Sequence, residues 1–221
     1  HEYLFLLSKN SDYFYDAEAI KEPVAESSIA RVAQNGGHPN WETDRRRGNP
    51  QGEQTLDITQ MVPSDGMRNK RSVWHVATQP FKGSHFAVFP SALISPCILA
   101  GSSEKGVCVE CGAPIERIVE RKAMVKGKSA RRDSLGEKGR TAASGTMIEP
   151  PTSKTIGWAP TCECKAGIAR PIILDPFMGA GTTALVAARY GRNFLGCELN
   201  PEYIKIAEKR IAAEIAQGKM F

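Results

Sequence analysis

The clearest periodic pattern of apolar positions lies near the end of the chain. An apolar residue recurs there at helical spacing, at Ile204, Ala207, Ile211 and Ile215. Asn200 is a candidate N-cap, Pro201 suits a first helical turn, and Gly218 ends the pattern. The pattern predicts a final helix whose apolar stripe packs on a sheet.

A second pattern predicts a strand, a turn and a helix immediately upstream. Three apolar residues at 172–174 end in Asp175, and Gly179 and Gly181 follow within a short turn. An alanine-rich helix is predicted over 182–190, with Gly191 at the position where a left-handed residue ends a helix. The next strand, predicted over 193–197, closes with Glu198. This order is typical of a parallel sheet whose strands end at a ligand crevice.

The first half of the chain carries weaker patterns. Residues 2–9 and 13–16 predict a β-hairpin, and residues 72–76 predict a short strand. Ser91–Gly101 predicts a helix that Pro96 breaks or delays. Residues 25–69, which include three consecutive arginines, have no periodicity and predict a long loop. We therefore expect three segments: 1–107, a cysteine-rich basic insertion over 108–164, and a β-α-β-α unit over 165–221.

Composition narrows the classes of protein to be considered. The chain has 221 residues, 41% of them hydrophobic, and a net charge of +5, a modest excess that is compatible with nucleic-acid binding. Since no apolar run is long enough to span a bilayer, we expect no membrane partner. The six cysteines do not form the pattern of a secreted disulfide scaffold, and we expect a cytoplasmic protein.

The turn after Asp175 carries the candidate chemistry. Glycines one residue apart let the backbone approach a bound group, and Asp175 and Glu198 place two carboxylates at neighbouring strand ends. This arrangement suits a nucleoside that carries hydroxyls and a positive charge. Gly179, Gly181 and Ala184 also fit the relaxed dinucleotide fingerprint, so a nicotinamide-dependent oxidoreductase is an alternative.

Residues on both sides of the glycines narrow this choice. The sequence Asp-Pro-Phe precedes them, Thr-Thr follows them, and the match continues over 191–203. The segment resembles the cofactor motif of the DNA amino-methyltransferases, which methylate adenine N6 or cytosine N4 with S-adenosylmethionine. The resemblance implies an α/β, Rossmann-like S-adenosylmethionine-dependent methyltransferase fold, here partial, with double-stranded DNA as partner.

The resemblance also implies which residues hold the cofactor. In the glycine motif and after the second strand these are Asp175, Pro176, Phe177, Gly179, Gly181, Thr182, Glu198, Leu199 and Asn200. A second cofactor-contacting segment would supply His85, Phe86 and Pro90. We expect Asp175 to place the amino-acid end, and Glu198 to accept both ribose hydroxyls.

No catalytic residue is predicted in this chain. The family binds its target amine with an (Asp/Asn/Ser)-Pro-Pro-aromatic tetrapeptide, and no such tetrapeptide occurs in the sequence. Residues 149–152 contain two prolines, but their first residue is glutamate in place of Asp, Asn or Ser, and their last residue is not aromatic. Because the first residue is His1, we expect the missing tetrapeptide upstream, in an amino-terminal part of the same enzyme.

Four cysteines are spaced as metal ligands. Cys108 and Cys111 form a Cys-x-x-Cys pair, and Cys162 and Cys164 form a Cys-x-Cys pair. Four thiolates close a tetrahedral structural zinc site, although free or buried thiols are the alternative. Between the pairs lies a basic, glycine-rich stretch, which we expect to form a DNA-facing finger. A non-catalytic zinc-containing DNA-binding module is therefore a further alternative for the whole chain.

Overall fold

The computed structural model describes residues 2–27, 30, 65–78, 88–123, 125–126, 147–149 and 152–217. Internal contacts divide the chain into two units. The first unit comprises residues 1–20, 69–118 and 157–221, and the second comprises 21–68 and 119–156. All four predicted metal ligands belong to the first unit. The three segments expected from the sequence, with boundaries at 107 and 164, stay a prediction.

The described elements are short except for three helices and two strands. In chain order they begin with a 3-10 helix (Glu18–Ile20), β1 (Glu22–Pro23), β2 (Met67–Arg68), α1 (Ser91–Gly101), β3 (Val107–Cys108) and β4 (Ile115–Lys122). They continue with β5 (Val125–Lys126), β6 (Met147–Glu149), β7 (Thr152–Pro160), β8 (Ile168–Ala169), β9 (Ile172–Asp175), α2 (Thr182–Arg189), β10 (Asn193–Gly196) and α3 (Pro201–Ala216). The strands pair as β1 with β2, β3 with β8, β4 with β7, β5 with β6 and β9 with β10.

Strands β9 and β10 are parallel, and helix α2 connects them. Their register runs from Ile172 opposite Asn193 to Asp175 opposite Gly196. Parallel strands joined by a helix form the βαβ unit, in which both strands end at the same edge. The prediction of an α/β fold with a strand, glycine turn, helix and strand in this order is confirmed.

The core of the first unit lies around helix α2. Leu185, Val186 and Ala187 are buried with Ile98 of α1. Helix α1 is continuous through Pro96, so the predicted break at this proline is wrong. Burial of Ile98 and Ala100 explains this result, because tertiary packing offsets the hydrogen bond that a proline removes from a helix.

Arg192 joins the end of α1 to the start of β10. Its Nε donates to the hydroxyl of Ser102 at 3.1 Å, and its Nη2 donates to the Ser102 carbonyl at 3.1 Å. Nη1 donates to the carbonyl of Tyr190 at 2.6 Å. Burial lowers the pKa of Arg192, and these bonds replace part of the water that the guanidinium loses.

Two strand predictions in the first half are wrong. Residues 2–16 contain no strand in the structure, and residues 72–76 contain none either. A strand needs a neighbouring strand for its backbone groups, and none of the described strands pairs with either segment. The apolar side chains over 3–7 are exposed accordingly. Most of the predicted long loop, residues 31–64, lies outside the described residues.

Helix α3 begins as predicted but presents a different inner face. The side chain of Asn200 accepts the Glu202 amide at 2.9 Å, which confirms the N-cap. Ala207 is buried, whereas Ile215 is 62% exposed, and the polar Glu214 faces α2, where it pairs with Arg189. The helix packs mainly on α2, because a cavity separates it from β10. In the part of the chain that the structure describes, no helix combines the length and apolarity needed to cross a membrane.

Candidate cofactor and metal sites

The turn after β9 is held by backbone hydrogen bonds to the end of β10. The amide of Met178 donates to the carbonyl of Cys197 at 2.9 Å, and the Cys197 amide donates to the Asp175 carbonyl at 3.0 Å. Within the turn, the Gly181 amide donates to the Met178 carbonyl at 2.9 Å. Residues 176–181, which we call the glycine turn, therefore form an ordered link between the two strand ends and α2.

Two glycines of the turn have left-handed backbones for different reasons. Gly179 has a φ of +53°, and a Cβ there would make only an ordinary contact, 3.9 Å from the carbonyl oxygen of Phe177. Gly181 has a φ of +77°, and a Cβ there would lie 2.7 Å from the Cβ of Ala207. Gly179 is thus required by conformation alone. Gly181 is required by conformation and by the close approach of α3.

The carboxylate of Glu198 is fixed by two backbone amides. One oxygen accepts the Gly179 amide at 2.8 Å, and the other accepts the Asn200 amide at 2.8 Å. These hydrogen bonds, that from Asn200 foremost, lower the pKa of Glu198 below its ordinary value. The side chain is therefore an oriented anion, and each of its oxygens retains a lone pair for a ligand hydroxyl.

The Asp175 side chain bonds within its own turn and not to the cavity where we expected it. Its Oδ1 accepts the amide of Phe177 at 2.9 Å, which closes the first part of the glycine turn. The side chain does not line the cavity beside Glu198. The predicted pair of carboxylates around one hollow is therefore found only in part: Glu198 lines the hollow, and Asp175 shapes the turn that forms its wall.

A cavity of about 640 Å³ lies between the glycine turn, the end of β10 and helix α3. Five predicted site residues line it: Pro176, Phe177, Gly179, Glu198 and Leu199. The other lining residues are Met178, Ala184, Phe194, Gly196, Cys197, Ile204, Ala207, Glu208 and Ile211. Ile204, Ala207 and Ile211 on α3 were missed because their apolar spacing predicts packing on a sheet. The residues of β10 and its end lie within the matched stretch 191–203, but the resemblance assigned no cofactor contact to them.

The remaining predicted cofactor residues lie outside this lining. Gly181 and Asn200 act through the backbone, and Thr182 is buried at the start of α2. Pro90 is half-buried immediately before α1 and does not line the cavity. His85 and Phe86 lie outside the described residues.

The four cysteines come together as the spacing predicted. The sulfur atoms of Cys108, Cys111, Cys162 and Cys164 all lie within 4.8 Å of one another. Each pair is followed by a residue with a left-handed backbone, Gly112 at +74° and Lys165 at +52°. Sulfur atoms about 3.8 Å apart surround a tetrahedral zinc ion at a Zn–S distance of ~2.3 Å. This cluster can therefore hold a metal ion.

Backbone groups and neighbouring thiols perturb these cysteines in opposite directions. Amide hydrogen bonds from Cys111 and Glu110 lower the pKa of Cys108 to about 7. Hydrogen bonds with the side chains of Cys111 and Cys162 favour the protonated thiol of Cys164 and raise its pKa to about 12, and charge repulsion from the same neighbours adds to the shift. Cys97 lies apart in α1, where burial raises its pKa.

The segment around the cavity is similar in sequence to known DNA methyltransferases. Residues 168–209, from β8 into α3, match the N6/N4 methyltransferase family model, described as DNA methylase. The Type II methyltransferase M2.DpnII of Streptococcus pneumoniae is 60% identical over 42 residues, 19% of this chain and 16% of that protein. The crystal structure of M1.HpyAVI is 49% identical over 20% of this chain and 24% of its own, with a TM-score of 0.19.

Longer matches extend over nearly the whole chain. The Type II methyltransferase M.SmaI of Serratia marcescens is 27% identical over 211 residues, 96% of this chain and 38% of that protein. M.Cfr9I of Citrobacter freundii is 28% identical over 214 residues, 97% of this chain and 37% of that protein. The chain thus spans less than two-fifths of the length of these curated relatives. The segment that carries the glycine turn and Glu198 is thus similar to DNA amino-methyltransferases, and the longer matches are to proteins of the same kind.

Proposed function

We propose that this chain forms the cofactor-binding part of an enzyme that methylates an exocyclic amine of DNA, adenine N6 or cytosine N4, with S-adenosylmethionine. The observation that carries the proposal is the Glu198 carboxylate, fixed by the Gly179 and Asn200 amides at the wall of the cavity. An oriented anion with free lone pairs at a strand end suits a pair of ribose hydroxyls. The DNA methylase family that residues 168–209 match supplies the reaction class.

The residues of the cavity fit the parts of this cofactor. Glu198 would hold the ribose, and Phe177, Phe194 and Leu199 offer apolar surface for the adenine. Phe177 is 87% exposed and Leu199 is 99% exposed, so a flat ring covering them would remove apolar area from water. The start of α2, after the glycine turn, favours the negative carboxylate of the amino-acid end.

This placement indicates what the cofactor and the residues around it contribute to the reaction. S-adenosylmethionine supplies a methyl group that its positive sulfonium makes electrophilic. Glu198 and the glycine turn bind and orient the molecule, while the apolar walls exclude water from it. Double-stranded DNA is the proposed partner, and its amine receives the methyl group.

The direct test is transfer of a labelled methyl group by the full-length protein. We expect label from S-adenosylmethionine in double-stranded DNA, recovered after hydrolysis as N6-methyladenine or N4-methylcytosine. Glu198→Ala should abolish the transfer at cofactor concentrations that saturate the wild type. Label on cytosine C5 or in protein, or no incorporation into any DNA sequence, would contradict the proposal.

The four-cysteine cluster is proposed as a structural zinc site. Four thiolates leave no open position at a tetrahedral ion, so such an ion stabilises structure and performs no chemistry. The site adjoins strand pairing: Cys108 lies opposite Ile168, and the Val109 amide donates to the Gly167 carbonyl at 3.0 Å. Zinc would therefore stabilise the pairing of β3 with β8, and β8 ends three residues before β9 begins.

Metal analysis tests this site. We expect one zinc per chain in the purified protein, and its loss in Cys108→Ser and Cys164→Ser. Cys97→Ser is the matched control, since Cys97 lies in α1 away from the cluster, and it should retain the zinc. Substoichiometric zinc in the wild type, unchanged by substitution at Cys108, would exclude the site.

A further inference from the structure

Helix α3 contacts the glycine turn at two points. Ala207 lies against Gly181, where a Cβ on the glycine would come within 2.7 Å of the alanine Cβ. One helical turn later, Nη1 of Arg210 donates a hydrogen bond to the carbonyl of Ala180. The same nitrogen lies 3.4 Å from the hydroxyl of Thr182, the first residue of α2. One side chain thus reaches both the turn and the helix that follows it.

The Ala180 carbonyl lies where a contact can restrict the conformation of the glycine turn. Ala180 stands between Gly179 and Gly181, both with left-handed backbones. Glycines visit several backbone conformations at similar free energy, so the turn depends on outside contacts to select one of them. Glu198 holds the turn at the Gly179 amide, and Arg210 holds it at the carbonyl of the next residue, Ala180.

The environment of Arg210 supports a specific role. The residue is partly buried beneath the turn, and burial lowers the pKa of its guanidinium. A partly buried cation carries a desolvation cost that a well-packed apolar side chain would avoid. The two oxygens that the guanidinium approaches offset part of that cost.

We infer that Arg210 is a positioning residue for the cofactor: it holds the glycine turn in the conformation that receives the amino-acid end of S-adenosylmethionine. The inference rests on the proposed function, because it assigns the turn to one end of that molecule. Arg210 does not line the cavity and acts through the backbone at Ala180 and the start of α2. Its substitution should therefore weaken binding of the amino-acid end more than binding of the nucleoside.

Two ligands separate these effects. S-adenosylhomocysteine has both the nucleoside and the amino-acid end, whereas 5′-methylthioadenosine lacks the amino-acid end. Isothermal titration should show that Arg210→Gln binds S-adenosylhomocysteine about tenfold more weakly than the wild type, as expected for a lost hydrogen bond from a charged group. Affinity for 5′-methylthioadenosine should change less than about twofold. Arg210→Lys keeps a cationic donor, so its affinity for S-adenosylhomocysteine should lie between those of the wild type and of Arg210→Gln.

Arg189→Gln is the matched control. Arg189 on α2 pairs with Glu214 on α3 at 2.8 Å, so this substitution also removes a cationic contact between the same helices. It does not touch the turn, and we expect both affinities to remain at the wild-type value. A general loosening of α2 against α3 would instead affect the Arg189 and Arg210 variants alike.

The possible outcomes distinguish a failure of the proposed function from a failure of the role inferred for Arg210. If the wild type binds neither ligand, the proposed function fails and the inference fails with it. If the wild type binds both ligands but Arg210→Gln loses affinity for them equally, or for neither, the inference alone is overturned. Should circular dichroism show that the Gln variant is unfolded, Arg210→Lys decides: a loss above threefold for S-adenosylhomocysteine alone supports the inference, and unchanged affinities overturn it.

Discussion

At the scale of single residues, Glu198 connects more of the site than any other side chain described above. It bonds the glycine turn through Gly179, bonds the approach to α3 through Asn200, and faces the cavity between them. Its position two residues beyond β10 places it at the edge where parallel strands bind ligands. Two predictions at this scale concern Glu198, and a third concerns the glycine that α3 approaches.

Glu198→Gln should lower the affinity for S-adenosylhomocysteine by about tenfold, because a neutral amide accepts weaker hydrogen bonds than a carboxylate. Isothermal titration measures this loss. Glu202→Gln is the control: this acid lies on the first turn of α3, is exposed and does not line the cavity. Equal affinities in the wild type and the Glu198 variant would show that the carboxylate holds no part of the ligand.

The lowered pKa of Glu198 predicts how binding depends on pH. A carboxylate whose pKa is depressed in the folded protein stays ionised below the ordinary value of 4.5, and it protonates only as the pH falls through the folded value. The affinity difference between the wild type and Glu198→Gln should therefore be constant from pH 7 to pH 5, and it should shrink only below 4.5. A difference that already disappears near pH 6 would contradict this assignment.

Gly181→Ala should destabilise the first unit more than Gly179→Ala does. Each alanine would be held in a left-handed backbone, at a cost of about 1–2 kcal/mol. At Gly181 the added methyl also meets Ala207, and such overpacking costs a further ~1–3 kcal/mol. Chemical denaturation measures both free energies of unfolding, and a Gly179 variant as unstable as the Gly181 variant would refute the steric argument.

At the scale of elements, the cysteine cluster and the glycine turn lie at opposite ends of one short stretch of chain. Strand β8 pairs with β3 beside the cluster, and β9 starts three residues after β8 ends and runs to the turn. Gly106 fits closely against this pairing, because a Cβ there would lie 2.4 Å from the side chain of Ile168. A metal ion that fastens β3 to β8 would thus restrict the base of the cofactor strand.

Removal of the metal should loosen the β3–β8 pairing first. After chelation, we expect faster hydrogen exchange at the Val109 amide, which donates to the Gly167 carbonyl. The Leu185 amide, which bonds the Gly181 carbonyl at the start of α2, is the internal reference and should keep its protection. Equal acceleration at both amides would indicate global unfolding and would contradict a local role.

At the scale of the whole molecule, the elements that sequence patterns predicted well are those with local causes. The glycine turn follows from residues that adopt left-handed backbones, and the start of α3 follows from the Asn200 cap. Both strands of the βαβ unit lie where their apolar runs placed them. These features depend on neighbours in the chain, so a single sequence contains the information for them.

The features that the patterns missed depend on distant partners. Residues 2–16 are apolar enough for strands, but none of the described strands pairs with them. Ile204 and Ile211 have the spacing of a packed helix face, yet they line a cavity. No sequence pattern marked Arg210 or Glu214, although one bonds the glycine turn and the other pairs with α2. Such roles are decided by which surfaces meet in three dimensions.

The central claim is that the cavity beside the glycine turn holds a sulfonium nucleoside through Glu198. Its most direct test is parallel titration of the wild type and Glu198→Ala with S-adenosylmethionine and with NAD. We expect the wild type to bind S-adenosylmethionine and not NAD, and the alanine variant to lose S-adenosylmethionine. Preference of the wild type for NAD, or undiminished S-adenosylmethionine binding by Glu198→Ala, would contradict the account.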